Sequence, residues 1–181
     1  MWSQTTTISQ PQKQKIPDAT PGHINLQKPS IIMEINEPVP LFEIKRTKTK
    51  YKAVHIKSSD DAFKFAKKLF TDEIEVFESC YLILLNTANI TIGHAKVSQG
   101  GIAGTVVCTK LIAKYCINNL ASGVILAHNH PSGKLSPSKS DISTTKKVKD
   151  GLKTLDIDLL DHLIVTNKGY YSINVNGKMN G

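Results

Sequence analysis

Two uninterrupted apolar runs, "YLILL" at residues 81–85 and "VILA" at residues 124–127, constrain this chain more than any other feature. A strand with one face in water alternates apolar and polar residues. A run that is apolar at every position must be covered on both faces, which requires helices on either side of a sheet. The rest of the sequence supplies them. "SSDDAFKFAKKLF" (58–70) opens on Ser and Asp and spaces Ala62, Phe65, Ala66 and Leu69 along one helical face. Over residues 105–120, Val107, Leu111 and Tyr115 form one row, with Cys108, Ile112 and Cys116 beside it. A third helix, from about 138 to 155, turns Ile142, Thr145, Val148 and Leu152 inward and its lysines outward.

The remaining segments read as strands. "LFEIKRTKTKYKAVHI" (41–56) predicts a hairpin around a basic turn, and "SCYLILLNTANITIGHAKVS" (79–98) predicts two strands joined at residues 86–89. "IDLLDHLIVT" and "YYSINV" predict two more, separated by "NKGY". Hairpins together with strand–helix crossovers imply an α/β domain with a mixed sheet. At 181 residues the chain is long enough for one domain. Residues 1–38, rich in Gln, Thr, Pro and Lys, read as a flexible arm, with the domain over 39–181.

Composition closes several alternatives. No apolar run approaches the ~20 residues that cross a bilayer. The start, "MWSQTTTISQPQKQK", lacks the pattern of a secretory signal, so a cytoplasmic location is expected. Cys80, Cys108 and Cys116 are odd in number and lie in apolar periodic segments, which predicts core thiols rather than disulfides. The net charge of +8 gathers in "KRTKTKYK" (45–52) and after Lys139. Such a surface attracts nucleic acid weakly through its field, but a solvated lysine face is the favoured reading, because the lysines are not interleaved with a series of aromatics as stacking platforms require.

Chemistry concentrates in "LAHNHPSGKLSPSKSDI" (126–142), directly after the second apolar run. His128 and His130 lie at a strand end, where side chains repeat with period two, so both point the same way. Ser138 and Asp141 fit a helix N-terminus as a capping pair, and "HPSGKLSP" reads as turns. Neither explains the histidines. Two imidazoles and a carboxylate make up the three-protein-ligand set of a catalytic zinc site, and His128, His130 and Asp141 supply it.

"HNHPSGKLSPSKSD" resembles the signature of the JAMM metalloproteases, the JAB/MPN domain family, and the surrounding sequence is closer to its bacterial RadC-like branch. The similarity runs from about residue 78 to 175 through "LLNTANITIG", "VSQGGIAGTVV", "VILAHNHPSG", "DHLIVT" and "GYYSI". It implies a three-layer α/β sandwich of a mixed sheet with flanking helices, JAB/MPN and cytidine-deaminase-like. It also implies Zn2+ on His128, His130 and Asp141, and a Ser138 hydroxyl bonded to the zinc-bound water or the developing oxyanion. The family's general base is a glutamate just before the first core strand. By position that is Glu78, with Glu73 and Glu75 as alternatives. The implied activity is cleavage of peptide or isopeptide bonds in a peptide or protein substrate. The alternative is a DNA-associated, repair-linked accessory protein with a structural or vestigial zinc site.

The chain departs from longer RadC proteins in two respects. Its first forty-odd residues do not resemble their helix-hairpin-helix region, and Cys108 and Lys110 stand where an acidic or histidine residue and an arginine are expected. "HNH" does not indicate the nuclease of that name, whose histidines are not adjacent in sequence. The zinc deaminase signature is absent in both halves. His162 reads as a core histidine, or through the resemblance as a residue behind the zinc ligands, with Asp161 facing the opposite side. His23, His55 and His94 have no partner spacing. The glycines of "SQGGIAGT" (98–105) read as a sharp turn rather than a phosphate loop.

Overall fold

The computed structural model of the chain describes residues 47–70, 74–100 and 107–179. All lie in the second of the two units into which the chain divides, Ile44–Gly181. The elements run α1 (Ser59–Lys67), β1 (Ser79–Leu85), β2 (Thr91–Gln99), α2 (Thr109–Asn118), β3 (Gly123–Asn129), α3 (Lys139–Lys153), β4 (Asp158–Thr166) and β5 (Gly169–Ser172).

The strands form one mixed sheet in the order β2-β1-β3-β4-β5, in which only β3 and β4 are parallel. Those two are joined through α3, the crossover that a parallel pair requires. Both faces of the sheet are covered, as the two apolar runs demand. Leu82 and Leu84 of β1 and Val124 and Leu126 of β3 pack with Ile112 and Cys116 of α2 and Val148 and Leu152 of α3. On the other face, Ile83, Leu85, Ile125 and Ala127 pack with Ala62, Phe65 and Ala66 of α1. The domain is therefore the expected three-layer α/β sandwich.

Local chemistry sets the boundaries. The Ser58 hydroxyl accepts the Asp61 N–H at 3.2 Å and starts α1, while Asp60 and Asp61 complement its first turn. Between β1 and β2 the Asn86 side chain accepts the N–H groups of Ala88 and Ile90, both at 3.0 Å.

One irregularity decides which side chains reach the site. In the β3–β4 ladder Val124 pairs with Leu159 but Ile125 pairs with Asp161, so Leu160 is an extra residue. Gly123 makes room for it: a Cβ there would lie 3.1 Å from the Leu160 side chain. The insertion reverses the parity of β4 beyond it. His162 then pairs with Leu126 and shares the face of His128, while Asp161 turns to the opposite face, as expected from the sequence.

Three expectations need correction. The second run of the proposed hairpin forms no strand; His55 makes a single bridge to Ile90, flanked by bonds from Thr91 N–H to the Val54 carbonyl and from Ile56 N–H to the Asn89 carbonyl, both 2.9 Å. Its apolar residues Tyr51, Val54 and Ile56 join the α1 cluster instead. The first run, through residue 46, lies outside the described residues. Helix α2 begins at Thr109, and Cys108 is its extended N-cap. Cys108 therefore leaves the helical row and is exposed, whereas Cys80 and Cys116 are buried. Lastly, β5 covers only Gly169–Ser172; the Ile173 N–H carries the ladder one step further, to the His162 carbonyl at 3.0 Å, before the chain turns and the Lys178 N–H bonds the Ile173 carbonyl at 3.0 Å. No helix among the described residues is long and apolar enough to cross a membrane.

Candidate metal centre

A crevice forms beyond the carboxyl ends of parallel strands, where connecting loops diverge. Here it lies past β3, beside the N-terminus of α3. His128 is the last residue of β3 on the face of Leu126 and Val124, and is buried. Pairing continues one step past the strand through the His130 N–H to the Val165 carbonyl at 3.1 Å, so His130 follows on the same side. The chain then turns: the Gly133 N–H bonds the His130 carbonyl at 2.9 Å, with Gly133 at φ +73°, a conformation that costs any other residue strain. The turn returns the Lys134 carbonyl to 2.8 Å from His130 Nδ1. Asp141 is fixed by a capping box, accepting the Ser138 N–H at 2.6 Å while its own N–H bonds the Ser138 hydroxyl at 3.1 Å.

These elements bring three candidate ligands together. The Nε2 atoms of His128 and His130 are 2.9 Å apart. Asp141 Oδ1 lies 3.4 Å from His128 Nε2, and Asp141 Oδ2 lies 3.6 Å from His130 Nε2. Imidazole and carboxylate ligands about 2.0–2.2 Å from a tetrahedral ion are roughly 3.3 Å from one another, so these separations bracket what one cation needs. It is the one cluster of three His, Cys, Asp or Glu groups of this kind among the described residues.

The hydrogen bonds fix which nitrogen each ring presents. The Thr145 hydroxyl lies 2.6 Å from the Asp141 carbonyl, which can only accept, so its proton goes there. Its oxygen must then accept from His162 Nδ1 at 2.7 Å, which makes His162 Nε2 an acceptor. That acceptor lies 2.8 Å from His128 Nδ1, which therefore carries the His128 proton and leaves Nε2 as a lone pair. His130 donates Nδ1–H to the Lys134 carbonyl, so its Nε2 is likewise a lone pair. Two lone pairs 2.9 Å apart repel unless a proton or a cation lies between them. The donor set thus fits a metal ion on the chemistry of its own residues.

Electrostatics agree. Burial lowers the His128 pKa to about 4 against the opposing pull of Asp141, and burial holds the wholly enclosed His162 well below the imidazole range. Both rings are neutral at pH 7, as ligation by His128 and acceptance of its Nδ1 proton by His162 require. Asp141 beside His130 raises the latter, against its partial burial. Burial pushes the Asp141 carboxyl upward, but His130, His128 and the two Ser138 hydrogen bonds outweigh it and keep the group ionised.

Of the candidate bases, Glu78 immediately precedes β1, whose Cys80 pairs with His128. Glu78, Cys80, Val107, His128, Ser140, Asp141, Thr144 and His162 line one small cleft of about 20 Å³. Glu75 is exposed and outside it, and Glu73 lies outside the described residues. Ser138 caps α3 and is exposed; Ser140, two residues on, borders the cleft. Thr145 is the residue whose part the sequence did not reveal. Its spacing of four from Asp141 places both on one helix face, a signal that reads equally as core.

A family model for the RadC-like JAB domain matches residues 56–178. The chain belongs to the RadC-like JAB domain family. Among its relatives are the UPF0758 proteins of Flavobacterium johnsoniae, 44% identical over 117 residues covering 65% of this chain and 50% of the relative, and of Porphyromonas gingivalis, 34% identical over 139 residues covering 77% and 58%. That of Fusobacterium nucleatum is 38% identical over 118 residues, covering 65% and 50%. The chain spans about half the length of these curated relatives. The glycines at residues 101 and 104 lie outside the described residues.

Proposed function

We propose that this RadC-like JAB domain is a zinc-dependent hydrolase of the JAMM type that cleaves peptide or isopeptide bonds. In this reading His128, His130 and Asp141 hold the ion, Glu78 is the general base, and Ser138 donates a hydrogen bond to the oxygen on which charge develops. The observation that supports it is a carboxylate, Glu78, lining the same small cleft as two of the ligands. Zinc bound there supplies Lewis acidity, lowering the pKa of water to about 7 and polarising a carbonyl.

The chain's own groups do the rest. Glu78 takes a proton from the attacking water as the new C–O bond forms, and delivers it to the amine nitrogen as the C–N bond breaks. The Ser138 hydroxyl accepts from Asp141 N–H and bonds the Asp141 carboxylate, so in this reading it turns its proton from Asp141 to the oxygen on which charge develops.

The test is cleavage of a peptide library and of lysine-linked isopeptides by zinc-loaded protein. Wild type should cleave, and Glu78→Gln should retain zinc while losing about 10²-fold or more in rate. Absence of cleavage by wild type, or equal cleavage by Glu78→Gln, would refute the assignment. DNA retention that weakens steeply with salt and survives Glu78→Gln would instead favour the accessory role.

A further inference from the structure

The residue between the two histidines has its own part. Strand periodicity sends Asn129 to the opposite face of the sheet from His128, where it is fully buried. A buried carboxamide must satisfy its donors and acceptor, and this one does so entirely on the segment that carries Glu78. Its Oδ1 accepts the Ser79 N–H at 2.8 Å. Its Nδ2 donates to the Ile74 and Phe77 carbonyls, both at 2.7 Å.

The Phe77 carbonyl belongs to the peptide before Glu78, and the Ser79 N–H belongs to the peptide after it. One side chain therefore clamps both peptide units that flank the Glu78 Cα. The Gly100 N–H adds a bond to the Glu78 carbonyl at 2.9 Å. With both peptides fixed, the direction in which the Glu78 side chain leaves the backbone is fixed as well. Because Asn129 sits between His128 and His130, any movement of the strand end carries the clamp with it, and the separation of base and ligands is kept.

We propose that Asn129 is the positioning residue that holds the Glu78 carboxylate at a set distance from the metal ligands, an inference that rests on the proposed role of Glu78. A residue serving stability alone would lower the unfolding midpoint without moving Glu78 relative to a bound ion.

The probe is Co2+ bound to full-length protein carrying glutamate labelled with 13C at the carboxyl carbon. In wild type Co2+ should relax the Glu78 signal strongly and that of exposed Glu75 much less. In Asn129→Ala and Asn129→Asp the Glu78 relaxation should fall severalfold with Co2+ still bound, and in metal-free Asn129→Ala the Ser79 amide should exchange about tenfold faster, the loss of one hydrogen bond. If the cleavage assay is positive, kcat should fall with KM unchanged, and the loss should vanish in a Glu78→Gln background. Unchanged relaxation of Glu78 in both variants, or unchanged exchange at Ser79, overturns this inference alone. Failure of wild type to hold Co2+ overturns the proposed function and this inference together. Should neither variant fold, slow exchange of the Asn129 carboxamide protons in wild type supports the clamp, and free exchange overturns it.

Discussion

Replacing Thr145 with valine is a sharp test of the hydrogen-bond relay behind His128. Valine matches threonine in shape, and the site is 1% exposed, so no cavity opens and the change is the loss of one hydroxyl. The Asp141 carbonyl keeps its helical partner, the Thr145 N–H four residues on. The cost therefore falls on His162 Nδ1–H, which loses its acceptor at 2.7 Å inside the core. An unsatisfied buried donor costs about 1–3 kcal/mol. The neutral His162 ring can relieve this by moving its proton to Nε2, but that nitrogen faces His128 Nδ1 at 2.8 Å. His128 must then carry its proton on Nε2, where it blocks the ligand lone pair. Thr145→Val should thus lose about 1–3 kcal/mol in urea unfolding and, separately, about 10- to 100-fold in zinc affinity measured against a chromogenic chelator. Thr145→Ser, which keeps the hydroxyl, should restore most of the affinity. Zinc affinity of Thr145→Val equal to wild type, or Thr145→Ser as weak as Thr145→Val, would refute the relay.

Other outcomes follow from the same structure. His128 and His162 both titrate below the ordinary imidazole pKa of 6.5, so between pH 6.5 and about 4 the unfolded chain binds protons that the native state refuses. Stability of the metal-free protein should therefore fall as pH drops through that window, by up to about 1.4 kcal/mol per pH unit for each histidine; a urea midpoint unchanged between pH 6.5 and 5 would contradict this. His130, raised by Asp141, contributes in the opposite sense and only above 6.5. Exposed Cys108 should react with a thiol reagent in a fast phase that Cys108→Ser removes, whereas burial pushes Cys80 to about 12 and Cys116 to about 11 and keeps both slow. Gly133→Ala should cost about 1–2 kcal/mol for its positive φ and weaken zinc binding through the His130–Lys134 bond, as chelator competition would register.

Much of this was legible in the sequence because it depends on local pattern. The apolar runs at 81–85 and 124–127 demanded cover on both faces, and the helices that provide it carry their own caps and periodicity. The meeting of His128, His130 and Asp141 follows from period two at a strand end and a capping box one loop later. What escaped depends on long-range register. His162 and Asp161 take the expected faces, but the extra residue Leu160 that makes them do so is not revealed by a count of alternating positions. The clamp at Asn129 needs the β1–β3 pairing and the course of residues 74–79. Cys108 escaped because one step outside a helix start the dihedrals become extended and the helical row no longer applies. The basic segment at 47–52 carries Tyr51 among its lysines, but that ring packs edge-on against Phe65 and His94 rather than standing free to stack.

The central claim, that two imidazoles from one strand end and a carboxylate from the next helix share a single ion, is tested most directly by X-ray absorption at the zinc edge of protein loaded with one equivalent. The account predicts imidazole scattering from two rings, an oxygen and nitrogen shell at about 2.0–2.2 Å, and loss of one imidazole in either His128→Ala or His130→Ala. A sulfur shell at about 2.3 Å, or a spectrum indifferent to both substitutions, would contradict it.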